Sequence, residues 1–420
     1  MTMTKIFTHE DSLDLSSIIR PGETVMWGQA NAEPLPLTNA LMRKRRRIGH
    51  LRAFLGITDS DTCLPEHADC VEFVSYCGSG YNRALAKAGV LNILPCHYSE
   101  FPKLIRQGPL RVDVLMLQLA PPDELGRFSL GLAHEYLLPA LETARVVIAE
   151  VNQACPWTFG ERYLIQDELD IILHTDRPPL QSRTVEPGPV ERAIAQRVAE
   201  RIETGATLQL GIGAIPEAVL QALHNHRELG VHSGTIGDGV AELMQRGVIT
   251  NSRKSLDKGV TVAGVLMGSE LIHHFAHRNP MIRMRSTEYT HSPQVLAAQN
   301  RLVAINSAIE VDLTGQINAE SAGGQYIGAL GGAVDFLRGA RQSRGGLPII
   351  ALPSTAGPRS RIVSRLSGPV STPRSDAGLI VTEYGVADLR GLSLSQRARC
   401  MIEIAHPDFR EQLKRDAASL

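Results

Sequence analysis

The 420-residue chain carries 43 Lys and Arg against 44 Asp and Glu, with 43% hydrophobic residues and 21% charged ones. This near-neutral balance argues against a protein that coats nucleic acid or an anionic membrane, and 5% aromatics argue against base-stacking platforms. The length suits two domains with sizeable cores, and 37 Gly and 24 Pro point to many turns and functional loops.

From the N-terminus, MTMTKIFTHEDSLDLSSIIRPGE shows no apolar core of a signal peptide. No apolar run nears the roughly 20 residues of a membrane span. The expectation is a cytoplasmic protein that binds neither membrane nor nucleic acid. The run Arg43–Arg47 (RKRRR) reads as the solvated face of a helix beginning near Leu37, ahead of a phosphate-binding role. Cysteines at 63, 70, 77, 96, 155 and 400 include no Cys-x-x-Cys pair and no accompanying His pair, so free thiols of a reducing compartment are expected and no metal.

Continuous apolar runs rich in Val, Ile and Leu then recur, at 112–119, 145–152, 207–213, 259–267, 301–307, 347–353 and 378–384. Continuous apolarity predicts strands buried on both faces, as in parallel sheets. Helical stretches at 189–202, 216–224, 240–246 and 395–403 lie between them. The alternation predicts an α/β chain, with ligands beyond the carboxyl ends of the strands. The polar, proline-bearing segment 175–188 (TDRPPLQSRTVEPG) predicts a domain division near residue 185, into 1–185 and 186–420.

Three glycine-bearing loops follow predicted strands. In LQLGIGAIPEAV, Gly211 and Gly213 end a strand before a helix, a turn whose backbone amides suit a phosphate or an oxyanion. It lacks the third glycine of the dinucleotide fingerprint. LGVHSGTIGDG carries His232, Ser233 and Asp238. The densest region, INSAIEVDLTGQINAESAGGQYIGALGGAVDF, crowds Gly323, Gly324, Gly328, Gly331 and Gly332 among apolar residues, which reads as a shaped ligand cradle.

With YTHSPQVLAAQN before it and LPSTA after it, this last region resembles the acetyl-CoA hydrolase/transferase family, in its 4-hydroxybutyrate coenzyme A-transferase branch. VMWGQANAEPLPL, IAEVN, SRIV, VTEYGVADLRG and AHPDFR extend the resemblance over nearly the whole chain. The resemblance implies two α/β domains with open, mostly parallel sheets flanked by helices, and an active site between them. It implies movement of coenzyme A from a short acyl-CoA to a small carboxylic acid, with CoA and acyl-CoA as substrates rather than a resident cofactor. It also implies a homo-oligomer, with a dimer as the expected form. The usual chemistry is covalent: a glutamate attacks the thioester, and an enzyme–CoA thioester follows.

Residue by residue, Gly211, Ile212 and Gly213 match the family's turn that holds the thioester oxygen. Asn306 matches the asparagine near CoA, and Gly328, Gly331 and Gly332 match the loop along CoA. Glu33 matches the acid of the GxxxxEP segment on the acyl side. The nucleophile does not match: the family's His-Ser/Thr-Glu-x-x-x-Asp-Gly loop reads here His232-Ser233-Gly234-Thr235-Ile236-Gly237-Asp238-Gly239, with Gly234 in the glutamate's place. Three readings follow. Another carboxylate acts in a transferase (Glu33, then Asp238, then Glu310). Water attacks, and the protein is an acyl-CoA hydrolase. Or the chain binds CoA without turnover.

Overall fold

The computed structural model describes residues 4–183 and 185–418. They divide into two units: residues 4–183 with Ile236–Asp238 and Val262–Thr290, and residues 185–235 with 239–261 and 291–418. After the segment near residue 185 the chain therefore returns twice to the first unit.

In the first unit, apolar runs become strands: β1 (Lys5–Phe7), β2 (Thr24–Trp27), β3 (Leu51–Leu55), β4 (Val71–Ser75), β5 (Leu91–Ile93), β6 (Val114–Leu119), β7 (Val146–Asn152) and β8 (Ile171–Thr175). They pair in the order β1-β8-β7-β6-β2-β3-β4-β5, parallel throughout. Every residue of β6 and β7 is buried, the setting of a parallel sheet covered on both faces. Helix α1 (Leu35–Ile48) packs Leu37, Leu41 and Ile48 into one cluster with Val25, Trp27, Ala53 and Leu55. These strand positions alternate, so they share one face. Phe54 points the other way, into a cluster with Tyr76, Tyr98, Phe101 and Tyr136 whose edge-to-face pairs have centroids 5.2–5.8 Å apart. The basic run lies on α1 and is tied to its own unit: Arg43 pairs with Glu10 at 3.0 Å, Arg45 and Arg46 share Asp69, and Lys44 donates to the Leu13 carbonyl.

In the second unit, β9 (Thr207–Leu210), β10 (Gly230–Val231), β11 (Leu302–Ser307), β12 (Leu347–Ala351), β13 (Leu379–Thr382) and β14 (Gly385–Asp388) form the order β10-β9-β11-β12-β13-β14. All pairs are parallel except β13 with β14. Among its helices are α2 (Pro189–Ala199), α3 (Ala214–Ala222), α4 (Pro293–Ala298) and α5 (Ala333–Gln342). Among the described residues no helix is long and apolar enough to cross a membrane.

Both sheets are doubly wound, and each reverses its strand order once. In the first unit the chain leaves β2 toward β3 and later comes back beside it with β6. In the second it leaves β9 toward β10 and comes back with β11. Crevices for ligands open at such reversals, beyond the carboxyl ends of the two strands. The loop bearing Glu33 follows β2, the Gly211–Gly213 turn follows β9, and Asn306 lies at the end of β11.

The expected run at 259–267 is not a core strand. It breaks at Gly264 into Thr261–Ala263 and Val265–Leu266, both outside the two large sheets, as a glycine inside a strand weakens pairing. The strands before residue 112 carry a weaker pattern. β2 has four residues, and β4 alternates because Glu72 reaches Arg52 across the pair at 3.0 Å.

Helices α4 and α5 meet where Gly339 has no side chain; a Cβ there would overlap Leu296 Cβ. Alanine in a helix is favoured over glycine by roughly 1 kcal/mol, but an overlap with an atom so near the backbone costs about 1–3 kcal/mol. Gly339→Ala is expected to lower the urea midpoint. A raised midpoint would show that the two helices do not pack this closely.

Candidate active site

The second unit's crevice is built from four loops. At its floor, Gln209 and Asn306 exchange hydrogen bonds: Asn306 Nδ2 donates to Gln209 Oε1 at 2.9 Å, and Gln209 Nε2 donates to Asn306 Oδ1 at 3.3 Å. Both side chains are buried, so the pairing satisfies two amides that burial would otherwise penalise. Gly211 lies against this pair; a Cβ there would stand 3.5 Å from Asn306 Oδ1. The structure thus brings together two expected site residues.

One expectation is corrected here. The Gly211 N–H donates to the Ile305 carbonyl at 2.9 Å, extending the β9–β11 ladder, and is not available to an oxyanion. Gly213 caps α3 at φ +110°, a conformation suited to glycine. The helix starts at Ala214, two residues before the expected start. Pro216 falls in the first turn, where its missing N–H has no intrahelical partner to lose. The partial positive charge of a helix N-terminus is therefore directed at the turn.

The loop after β10 is clamped to β9. The His232 N–H donates to the Leu208 carbonyl at 3.0 Å. Ser233 Oγ accepts from the Leu210 amide at 3.3 Å and lies 3.2 Å from the Leu210 carbonyl, to which it donates. This holds Gly234 beside the glycine turn. A Cβ at 234 would stand 3.0 Å from His291 Cε1, 3.2 Å from His291 Nε2 and 3.7 Å from Phe336 Cε2. A side chain at 234 would crowd the imidazole, which would have to give by a few tenths of an ångström. His291 is 4% exposed and its ring lies 4.6 Å from that of Phe336, centroid to centroid. Burial, with a smaller contribution from His232, pushes its pKa down to about 3, so it is neutral at neutral pH. Sequence reasoning gave His291 no role. Nothing in a one-dimensional pattern pairs it with Gly234.

The third glycine region is only partly what it resembles. Gly328 donates its N–H to the Glu320 carbonyl at 2.9 Å, and a Cβ there would overlap the Ala319 carbonyl oxygen. Its own chain already requires a glycine there. Gly331 adopts φ +54°, and Gly332 caps α5 at an ordinary φ of −96°. α5 then carries Phe336 to His291.

The carboxylates offered in place of the absent glutamate are each engaged. Glu33 is 2% exposed. It accepts from Thr38 Oγ1 at 2.7 Å on one oxygen and from Ser60 Oγ at 2.6 Å on the other, and burial raises its pKa. Asp238 accepts from the Ser269 amide at 3.1 and 3.0 Å and from the Ile272 amide at 3.1 Å, tying down the start of the helix Glu270–Ala276. Glu310 accepts from Asn318 Nδ2 at 3.0 Å and from the Ser367 amide and hydroxyl at 2.7 and 2.9 Å. Each carboxylate is thus held by hydrogen-bond donors of its own surroundings. Among the described residues no group of three or more His, Cys, Asp and Glu gathers as a metal site.

A further buried acid went unnoticed in the sequence. Glu135 accepts from Tyr98 Oη at 2.6 Å and from Gln29 Nε2 at 2.8 Å, where Gln29 belongs to the loop after β2. Burial raises its pKa to about 7, against the lowering effect of those two donors.

Fold and site together define a two-unit, doubly wound α/β protein with a glycine turn at a helix N-terminus and a buried amide pair at one strand-order reversal. The chain belongs to the acetyl-CoA hydrolase/transferase family: the family's N-terminal domain matches residues 4–180 and its C-terminal domain matches residues 268–417. It is similar to the 4-hydroxybutyrate coenzyme A transferase of Clostridium kluyveri, with 41% identity over 419 residues, 97% of this chain and 96% of that protein. RipA from Yersinia pestis superimposes with a TM-score of 0.93 at 35% identity, covering 99% of this chain and 97% of that one. The 4-hydroxybutyrate CoA-transferase of Porphyromonas gingivalis superimposes with a TM-score of 0.84 at 34% identity, covering the same shares. Two relatives named acetyl-CoA hydrolase match 49% and 48% of this chain.

The Glu135 shift carries a sign. An acid whose pKa rises on folding holds its proton more tightly in the fold. Its stabilising contribution is full below about 4.5 and is lost as pH rises through about 7. The span amounts to on the order of 3 kcal/mol. Glu135→Gln keeps the acceptor for Tyr98 and Gln29 but cannot ionise. Its thermal midpoint is expected to gain on the wild type steadily between pH 4.5 and 8; parallel profiles would contradict the buried, raised acid.

Proposed function

We propose that this protein moves coenzyme A from an acyl-CoA to a small carboxylic acid, and that the acceptor's own carboxylate attacks the thioester. The observation that carries this reading is the pairing of a retained glycine turn and amide pair with a position 234 that bears no carboxylate. Relatives named as transferases match nearly the whole chain, whereas those named as hydrolases match about half. That contrast supports transfer over hydrolysis.

In the proposed reaction an acceptor oxygen adds to the thioester carbonyl carbon. The developing oxyanion lies toward the Ile212 and Gly213 amides and the N-terminus of α3. The C–S bond breaks, and its electrons leave with the CoA thiolate, giving a mixed anhydride. The thiolate then adds to the acceptor-derived carbonyl of that anhydride. The C–O bond breaks, the donor acid departs as its carboxylate, and a new acyl-CoA remains. No proton, oxidant or metal enters the balance. Water must be excluded while the anhydride exists.

Two measurements test this reading. Initial rates over a matrix of acyl-CoA donors and acid acceptors are expected to give converging double-reciprocal lines, because both substrates must be bound together. Little free thiol should appear without an acceptor. Parallel lines with an isolable enzyme–CoA thioester would overturn direct attack, and thiol release indifferent to acceptor would make the protein a hydrolase. For CoA itself, Gly332→Val is the informative variant. At Gly331 a valine strains the backbone at φ +54° whatever is bound, whereas Gly332 has an ordinary φ. Gly332→Val is expected to weaken CoA binding at least about ten-fold with the thermal midpoint nearly unchanged. Full affinity by calorimetry would remove this loop from the site.

A further inference from the structure

We propose that the hairpin after β12 holds a phosphate of coenzyme A, with the guanidinium of Arg361 as its main contact and that of Arg359 as a second. This rests on the transferase reading for its ligand, and it names a contact for a part of CoA that takes no part in the bond changes. The hairpin pairs Thr355–Ala356 with Arg359–Ser360 around Gly357 and Pro358. It follows β12, the strand beside β11. It therefore rises beyond the carboxyl edge of the same sheet that carries Asn306 and the Gly211–Gly213 turn, the edge where such sheets bind ligands. Its returning end is pinned on both sides. The Arg361 N–H donates to the Ser354 carbonyl at 2.8 Å, and the Arg361 carbonyl accepts from the Val311 amide at 2.8 Å.

A guanidinium withdrawn from water normally has a partner. Arg361 is half-buried and its Nε is buried without a hydrogen-bond partner, yet among the described residues its side chain makes no ion pair. Two acids face it, Glu191 in the first turn of α2 and Glu383 just after β13. Neither closes on it. Glu383 spends its oxygens on Ser354, accepting from the amide at 2.9 Å and from Oγ at 2.6 Å. Burial outweighs the attraction of both acids, so the charge is held at a cost that a bound anion would offset. Arg359, two residues earlier and exposed, also makes no ion pair among the described residues. The two Cα atoms are no more than about 8 Å apart, so one phosphate is within reach of both side chains. The planar fork of arginine matches phosphate oxygens in pairs, and a doubly charged phosphate suits two such forks better than the single charge of a small acid. Coenzyme A carries its phosphates at the nucleotide end, away from the thiol. A contact there acts equally on ground state and transition state, and it sets donor affinity rather than turnover.

The test uses full-length protein and compares CoA with 3′-dephospho-CoA and with pantetheine, which keeps the thiol arm and lacks every phosphate. Arg361→Gln is expected to weaken CoA binding about ten-fold or more while pantetheine stays within about two-fold. With acetyl-CoA or butyryl-CoA as donor, the donor KM should rise by the same factor, and kcat and the acceptor KM should hold. Arg361→Lys, which keeps the charge without the fork, should recover part of the loss. Arg359→Gln alters an exposed side chain and should weaken CoA about three-fold or more; it carries the test if Arg361→Gln does not fold. A loss that disappears with 3′-dephospho-CoA assigns the 3′-phosphate, and one that persists assigns the diphosphate. Unchanged CoA affinity in both variants, an equal loss for pantetheine, or a rise in the acceptor KM instead overturns this site alone. A wild type that binds CoA, loses it in Arg361→Gln and yet transfers it to none of the acids from acetate to hexanoate overturns the transferase reading and leaves the site standing. A wild type that binds no CoA overturns both.

Discussion

Close packing around Gly234 organises this edge of the second unit. The imidazole of His291 stands 3.0–3.2 Å from where a Cβ on residue 234 would be, and the ring of Phe336 lies against it. His291 precedes α4, Phe336 belongs to α5, and the two helices close on each other because Gly339 admits Leu296. The loop of Gly331 and Gly332 feeds directly into α5. A change in packing between these helices therefore moves the imidazole, and with it the edge of the crevice at the β9–β11 reversal.

The chemistry follows from that constraint. Anhydride formation needs a carboxylate close to a thioester whose oxygen is stabilised by donors. The turn after β9 still offers backbone donors and the field of a helix N-terminus, but no residue at 234 offers the carboxylate. Glu33, Asp238 and Glu310 each spend their oxygens on hydroxyl, amide or backbone donors of their own surroundings. On the proposed reading the attacking carboxylate is the acceptor's own.

Much of this was legible in the sequence, for physical reasons. Runs such as 112–119, 145–152 and 301–307 announced their strands because parallel strands buried on both faces must be apolar at every position. The Gly211–Gly213 turn, Asn306 and the vacancy at 234 were legible because each is a local pattern. Short or alternating strands such as β2 and β4 were not, since four residues or one exposed face carry little periodic signal. Gly328 was read as making way for a ligand, and the Ala319 carbonyl by itself already requires that glycine; a sequence shows that space is needed but not by what. The same limit hid His291 and Glu135. Their settings are made by contacts between residues distant in the chain, and no spacing rule reports such contacts.

The most direct measurement is a single turnover with an acceptor acid labelled by ¹⁸O in its carboxylate, followed by mass analysis of the released donor acid. Direct attack carries one acceptor oxygen through the anhydride into that acid, so the account predicts one ¹⁸O per released molecule, with the other in the new acyl-CoA. An enzyme carboxylate would instead supply the oxygen of the first released acid and keep the label on the protein. Unlabelled donor acid with ¹⁸O in the polypeptide would contradict the account.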